Sequence, residues 1–339
     1  MNDENTVRTC LVGLGWWGGE FARAAKKAEG VEVAAGFART KKTREAFARE
    51  HGCRPIESWE EVLKDSEVDA VILATPHSVH ARMVEEAASA GKHVFVEKPF
   101  VLSVPDGQRA IAACEKADVR LGVGHQRRYQ PAHRQLKHLI DSGEMGQAIQ
   151  AEANFSYGFA DKLDASSWRA GADESPSGSM TGLGIHHADS LQYLLGPVKS
   201  VFASSRSMSP QTNLDDVTAA LLEFKSGAHG YLGSNMLTPK VYYIQIFGTD
   251  ANACAEDEGR RLTVQRKGVD EPEVRDWEVE GDPISVNVVD ELADFAAAIR
   301  EGRAPEVDGH AGLRAAAVVE GITLSSRENR KVELAELYE

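Results

Sequence analysis

Two stretches near the start of the chain hold residues whose types and spacing can do chemistry. Gly13-Leu14-Gly15-Trp16-Trp17-Gly18 has the spacing GxGxxG. It follows an apolar run and opens a helix. In that context the first glycine permits a tight turn, the second lets backbone approach a pyrophosphate, and the third lets helix and strand pack closely. The free N–H groups and positive dipole end of the helix then face the phosphates. Trp16 and Trp17 stand inside the loop, either as cover for a bound cofactor or as packing. A site that prefers NAD places an acid roughly 20 residues past the loop, on the ribose 2′-OH. From Val33 to Arg44 there is no Asp or Glu, and the chain reads Phe37-Ala38-Arg39-Thr40-Lys41-Lys42. A small residue, a guanidinium and a hydroxyl accept a 2′-phosphate that a carboxylate would repel. Ala38, Arg39 and Thr40 are therefore expected to favour NADP over NAD.

These residues need a scaffold that brings strand ends together. Apolar runs at 7–13, 31–37, 69–75, 93–96 and 120–124 read as strands. Amphipathic or alanine-rich stretches at 20–29, 40–51, 79–90 and 104–117, and one starting at 131, read as helices. The run at 69–75 is continuously apolar, as a parallel strand covered on both faces must be. Strand–helix alternation implies βαβ units and a doubly wound parallel sheet, a Rossmann domain. The second half changes character. Strands are expected at 148–157, 198–204, 218–224, 229–233, 242–247 and 261–265, and helices at 181–195, 286–301 and 309–325. That is an α+β domain on a large, mostly antiparallel open sheet. The expected division is 1–126 for dinucleotide binding and 127–339 for substrate binding and oligomerisation, with the last helices able to pack back on the first domain.

Composition narrows the function classes. The chain has 339 residues, with 38 Lys plus Arg against 52 Asp plus Glu, a formal charge of -14. Such a surface repels polyphosphate, so neither nucleic acid nor an anionic membrane is expected as the main partner. Cys10, Cys53, Cys114 and Cys254 are far apart and form no CxxC pair, which suggests neither a zinc cluster nor a disulfide framework. The scattered histidines make no convincing metal set, and no metal is expected. The first six residues are polar and acidic, unlike a signal peptide, and no apolar run reaches the roughly 20 residues of a membrane span. A cytoplasmic protein is expected.

Further motifs occur in order. They are Thr75-Pro76-His77 with His80, Gly91-Lys92-His93, Glu97-Lys98-Pro99, Arg128-Tyr129-Gln130-Pro131 and Gly184-Ile185-His186. Together with the glycine loop they resemble the Gfo/Idh/MocA oxidoreductase family over almost the whole chain. The resemblance implies a two-domain dehydrogenase with the nicotinamide at the domain boundary, forming homodimers or homotetramers. It places Lys98 beside the nicotinamide and the reacting carbinol, where an ammonium hydrogen-bonds the substrate oxygen. It assigns Glu97 to orienting Lys98 or meeting the cofactor. Thr75, Pro76, His77, His80 and Gln126 line the cofactor, and Trp168 and Arg169 match a pair that meets cofactor or substrate. His186 takes the position of the family's histidine and becomes the expected general base, since imidazole titrates near neutral pH.

One position departs from the family pattern. Relatives carry an Asp four residues before the histidine, on the same helix face. Here that position is Gly182, which can bind no hydroxyl and orient no lysine. The gap leaves room for a different substrate or for a group from elsewhere. Asp161, Asp164 and Tyr157 are the candidates. The expected activity is hydride transfer between NADP, or NAD, and a secondary alcohol or ketone of a sugar, cyclitol or related polyol. Alternatives are a glycoside-cleaving enzyme that uses NAD without net redox, a dihydrodiol-type dehydrogenase, and a non-catalytic NADP(H) sensor.

Overall fold

The structure, a computed structural model, describes residues 6–160, 168–279 and 283–339. In chain order the elements begin with β1 (Val7–Val12), α1 (Trp16–Ala25), β2 (Val31–Phe37), α2 (Lys41–His51), β3 (Arg54–Ile56), α3 (Trp59–Lys64) and β4 (Ala70–Leu73). Then come α4 (His80–Ser89), β5 (His93–Glu97), α5 (Val104–Lys116), β6 (Leu121–Gly124), α6 (Pro131–Asp141) and β7 (Ala148–Ser156). The chain continues with α7 (Ile185–Leu195), β8 (Val198–Arg206), β9 (Val217–Phe224), β10 (His229–Asn235), β11 (Val241–Gly248) and β12 (Ala251–Glu256). It ends with β13 (Arg261–Arg266), β14 (Glu273–Asp276), α8 (Pro283–Glu301), α9 (Gly309–Glu328) and β15 (Val332–Glu333). Among the described residues no helix is long and apolar enough to cross a membrane.

Two compact units result. The first runs up to Val101, takes in Pro105–Gln126, and adds a later stretch that ends at Leu313. The second holds Leu102–Val104, the stretch from Arg127 to Val279, and Arg314–Glu339.

The first unit is a six-stranded parallel sheet in the order β3-β2-β1-β4-β5-β6. The order reverses between β1 and β4. Ligands of open parallel sheets bind outside the carboxyl ends of the strands at such a switch point. The central strands are buried on both faces. On β5, Phe95 lies edge-on to Phe21 of α1 (5.6 Å between ring centroids) and to Phe295 of α8 (5.5 Å). Gly122 on β6 pairs with Phe95, and a Cβ there would lie 2.9 Å from the Phe295 ring. A bare β6 thus admits α8 to this sheet.

The second unit is a nine-stranded sheet in the order β14-β13-β12-β11-β7-β10-β9-β8-β15. Its pairings are antiparallel except for β10 against β7. One face packs on a core that includes Leu136 and Leu139 of α6, Leu191 of α7 and Ile322 of α9. The other face is open and exposes Phe202 and Leu221. The expected parallel sheet and largely antiparallel second sheet are both present. Four details differ, the unexpected short helix α3 among them. The first helix starts at Trp16, straight from the glycine loop. Strands β3, β12, β14 and β15 carry too weak a pattern to be read: β12, for one, is rich in alanine. The helix expected at 181–195 begins with a π-helical turn, Met180–Gly184, before α7.

Candidate active site

The C-terminal ends of five strands of the first sheet deliver the expected cofactor residues to one edge. The end of β1 supplies Gly13, β2 leads to Ala38 and Arg39, β4 to Thr75, β5 to Glu97 and Lys98, and β6 to Gln126.

The three loop glycines have different reasons to be glycine. Gly13 has φ +94°, and a Cβ on it would sit 2.4 Å from the Ala74 carbonyl oxygen. A Cβ on Gly18 would meet the Gly13 carbonyl oxygen at 2.4 Å. Both are fixed by internal crowding. Gly15 is the reverse: it is exposed, and among the described residues a Cβ there meets nothing within 4 Å. It caps α1 without a side-chain bond, and no acid stands in the helix's first turn. That open backbone at a helix start is what a pyrophosphate requires. Two polar atoms support the same reading. Thr75 Oγ1 and Gln126 Oε1 are enclosed, yet neither has a hydrogen-bond partner among the described residues. Buried polar groups left without protein partners are expected where a ligand completes them. The residues present therefore fit a dinucleotide.

Of the two tryptophans, Trp17 packs against the core of the first unit and near Phe21, while Trp16 stays 55% exposed, edge-on to Trp17. Arg39 and Thr40 are exposed beyond β2, and Ala38 is half-buried. Arg44 folds back to donate to the carbonyls of Ala38 (3.0 Å) and Arg39 (3.2 Å), which fixes the backbone there.

Lys98 is half-buried and Glu97 is buried. The Lys98–Pro99 peptide is cis. His80 is fully enclosed. Its Nδ1 lies 2.9 Å from the Pro99 carbonyl oxygen and its Nε2 3.0 Å from that of Thr75. His80 thus ties the loop after β4 to the turn after β5. His77 lies half-buried beside it, with rings 5.8 Å apart, and Pro76 is also half-buried. Lys92 is structural, donating to the carbonyls of Asp65 (2.6 Å) and Val68 (2.7 Å).

In the second unit His186 sits in the first turn of α7, 4% exposed, with the Phe155 ring 5.9 Å away. Around it is a cluster that sequence reasoning missed. The Arg127 guanidinium lies over the rings of Phe155 (4.5 Å) and Tyr242 (4.7 Å), with Glu258 4.0 Å away. Stacking on two rings suits a desolvated guanidinium. Tyr242 donates to Gln130 Oε1 (2.6 Å), and burial pushes its hydroxyl up to about 12. His187 donates from Nε2 to the Asn154 carbonyl (3.2 Å), and burial holds it well below its ordinary value. His133 meets the Arg127 carbonyl at 2.6 Å, and burial lowers it to about 4. Arg128 makes a two-pronged buried ion pair with Asp189, at 2.7 and 2.5 Å. These contacts join distant strands, so no local motif announces them.

Gly182 lies in the π-helical turn, and among the described residues a Cβ on it would meet the tip of the Phe159 ring, 3.9 Å off. The described residues thus do not crowd out a carboxylate there. Tyr157, a candidate replacement, is 44% exposed. Asp161 and Asp164 lie outside the described residues. Trp168 and Arg169 share a short turn, with the guanidinium 4.4 Å from the indole centroid.

Comparison with known proteins places this geometry. Residues 7–125 match the model of an oxidoreductase family with an NAD-binding Rossmann fold, and residues 133–254 match the GFO/IDH/MocA C-terminal domain. The chain is 33% identical over 261 residues to scyllo-inositol 2-dehydrogenase (NAD(+)) of Bacillus subtilis, covering 74% of this chain and 73% of that protein. A crystal structure from Desulfitobacterium hafniense, assigned as an NADPH-dependent oxidoreductase, aligns over 100% of both chains with a TM-score of 0.91 and 32% identity. Levoglucosan dehydrogenase with NADH and levoglucosan shares the fold, with a TM-score of 0.91 at 21% identity over 97% of this chain and 99% of that one.

The depressed histidines make stability pH-dependent. His133 has its folded value lowered to about 4 from an ordinary 6.5. A group of this kind stabilises fully above its unfolded value and loses that contribution as pH falls toward its folded value. Urea unfolding should therefore weaken between pH 6.5 and about 4, by roughly 3 kcal/mol for this residue. His133→Gln should flatten the slope in that window; an undiminished slope would contradict the assignment.

Proposed function

The chain belongs to the Gfo/Idh/MocA oxidoreductase family, and from that premise we propose an NADP-preferring enzyme acting on a sugar, cyclitol or related polyol. It is an NAD(P)-dependent oxidoreductase, and its relatives include an inositol dehydrogenase. The reaction we assign is hydride transfer between nicotinamide and a secondary alcohol or ketone. The observation that carries the reading is the edge of the first sheet: an open glycine backbone at a helix start, with enclosed oxygens on Thr75 and Gln126 that have no hydrogen-bond partner among the described residues.

When bound, the nicotinamide supplies or takes up the hydride. The chain's own residues do the rest. Backbone N–H groups of the loop at 13–18 hold the pyrophosphate, with Trp16 as cover. Arg39 and Thr40 take the 2′-phosphate, where no acid stands to repel it. Thr75, Pro76, His77 and Gln126 line the ribose and nicotinamide side, and His80 fixes the backbone that carries them. Lys98 donates a hydrogen bond to the carbinol oxygen and stabilises charge growing there. His186 takes the alcohol proton during oxidation. Tyr157, Trp168 and Arg169 contact substrate. Gly182 itself brings no carboxylate where relatives hold one, so the substrate group nearest it need not be a hydroxyl that this position would grip. We assign a homodimer or homotetramer, formed through the open face bearing Phe202 and Leu221.

Lys98→Ala should lower turnover by about a thousandfold or more while leaving most of the coenzyme affinity. Screening alcohols and ketones with both coenzymes supplies the assay, and near-normal turnover of this variant would remove Lys98 from the mechanism. Arg39→Ala should weaken NADPH by roughly ten- to a hundredfold and leave NADH little changed. Equal losses for the two coenzymes would remove the NADP preference.

A further inference from the structure

On the inner face of β5 the side chains alternate so that Phe95 and Glu97 point the same way. Phe95 meets Phe295 of α8. One helical turn before Phe295, on the same helix face, comes Glu291. The neighbouring β6 presents Gly122 beside Phe95 and Gly124 beside Glu97. A Cβ on Gly124 would stand 3.4 Å from the Glu97 Cα. Gly122 clears room for Phe295 next to Phe95, and Glu291, one turn earlier on α8, is near enough for the Glu97 charge to act on it.

Glu291 is 3% exposed and Glu97 5% exposed. Oε2 of Glu291 is enclosed and has no hydrogen-bond partner among the described residues. A buried carboxylate on which the described neighbours that act are Glu97 and Asp290, both acids, is costly to ionise. The surrounding charges do not relieve it. From α8 itself comes Asp290; from β5 comes Glu97, followed by Lys98. Helix α1, packed on α8, carries Glu20 and Arg23, which pair with each other. Strand β2 carries Glu32, exposed, and β6 carries no ionisable side chain, with His125 just beyond it.

We propose that Glu291 is a positioning residue: it keeps its proton at neutral pH and thereby limits the buried acidic pair behind the Glu-Lys-Pro turn to one negative charge. Burial first, then Glu97 and Asp290, hold this acid well above the ordinary carboxyl value. Loss of the proton would place a second negative charge beside Lys98. That favours the ammonium form and makes Lys98 a weaker acid toward the substrate oxygen. The kinetic consequence rests on the role proposed for Lys98; the protonation of Glu291 does not.

Two measurements read the proton directly. Infrared spectra of the whole enzyme at neutral pH should contain the carbonyl stretch of a protonated carboxylic acid, absent from Glu291→Gln. An acid with a raised folded value stabilises fully below the ordinary carboxyl range and loses that contribution as pH rises toward the folded value. Wild-type unfolding should therefore weaken with rising pH in a window where Glu291→Gln does not, so the variant is the more stable at alkaline pH. In kinetics, the alkaline limb of kcat, where Lys98 loses its proton, should move down by about one pH unit or more in Glu291→Gln, because the charge that wild type gains at high pH is absent. A wild-type spectrum without the acid band overturns the proposal, as does a variant with parallel stability and kcat profiles. Should Lys98 prove dispensable, the infrared and unfolding results still decide the state of Glu291, so the two failures are distinguishable.

Discussion

At residue 13 the backbone has no room for a methyl group, and much of the site follows from that. A side chain there would strike the Ala74 carbonyl, and the positive φ would strain any residue but glycine. Because Gly13 is bare, the end of β1 can turn directly against the end of β4, at the point where the strand order reverses. The turn releases α1 from Trp16 with its first N–H groups uncapped by any side chain. The same approach brings Thr75 alongside, and His80 then links Thr75 to the turn that carries Lys98. The crevice is thus a consequence of close backbone packing, and its polar groups are set by strand ends rather than by mobile side chains.

The buried charges follow one logic in each unit. An ion removed from water needs a partner or an aromatic face. Arg128 has Asp189, and Arg127 has two rings and Glu258 at the limit of an ion pair. His133 and His187, enclosed in the same cluster, are held neutral. In the first unit burial, Glu97 and Asp290 hold Glu291 well above the ordinary carboxyl value. Groups shifted in this way by burial and fixed charges gather both at functional sites and in structural networks.

What the sequence disclosed follows the range of the signal. The glycine loop, the parallel strands and the Glu-Lys-Pro turn are local patterns, so they were legible. Gly13 and Gly18 are as crowded as a tight turn and a closely packed helix start require. The alanine-rich β12 was illegible because small side chains carry little strand preference. The Arg127 cage unites residues 127, 155, 242 and 258 from separate elements, and the Glu97–Glu291 pair joins acids almost two hundred positions apart. No spacing rule reaches across such gaps. The π-helical turn at Gly182 was hidden too, since its composition reads as ordinary helix.

Gly15 gives the most direct test of a dinucleotide on this loop. Its backbone, at φ -84° and ψ -156°, suits any L-residue, and its Cβ position is open. Gly15→Val should therefore fold and melt like the wild type while obstructing the path of the pyrophosphate. Calorimetric titration of the purified apoprotein with NADPH should show binding by the wild type and a loss of roughly a hundredfold, about 2.7 kcal/mol, in the variant. Equal affinity in both proteins, with matching melting curves, would contradict the account.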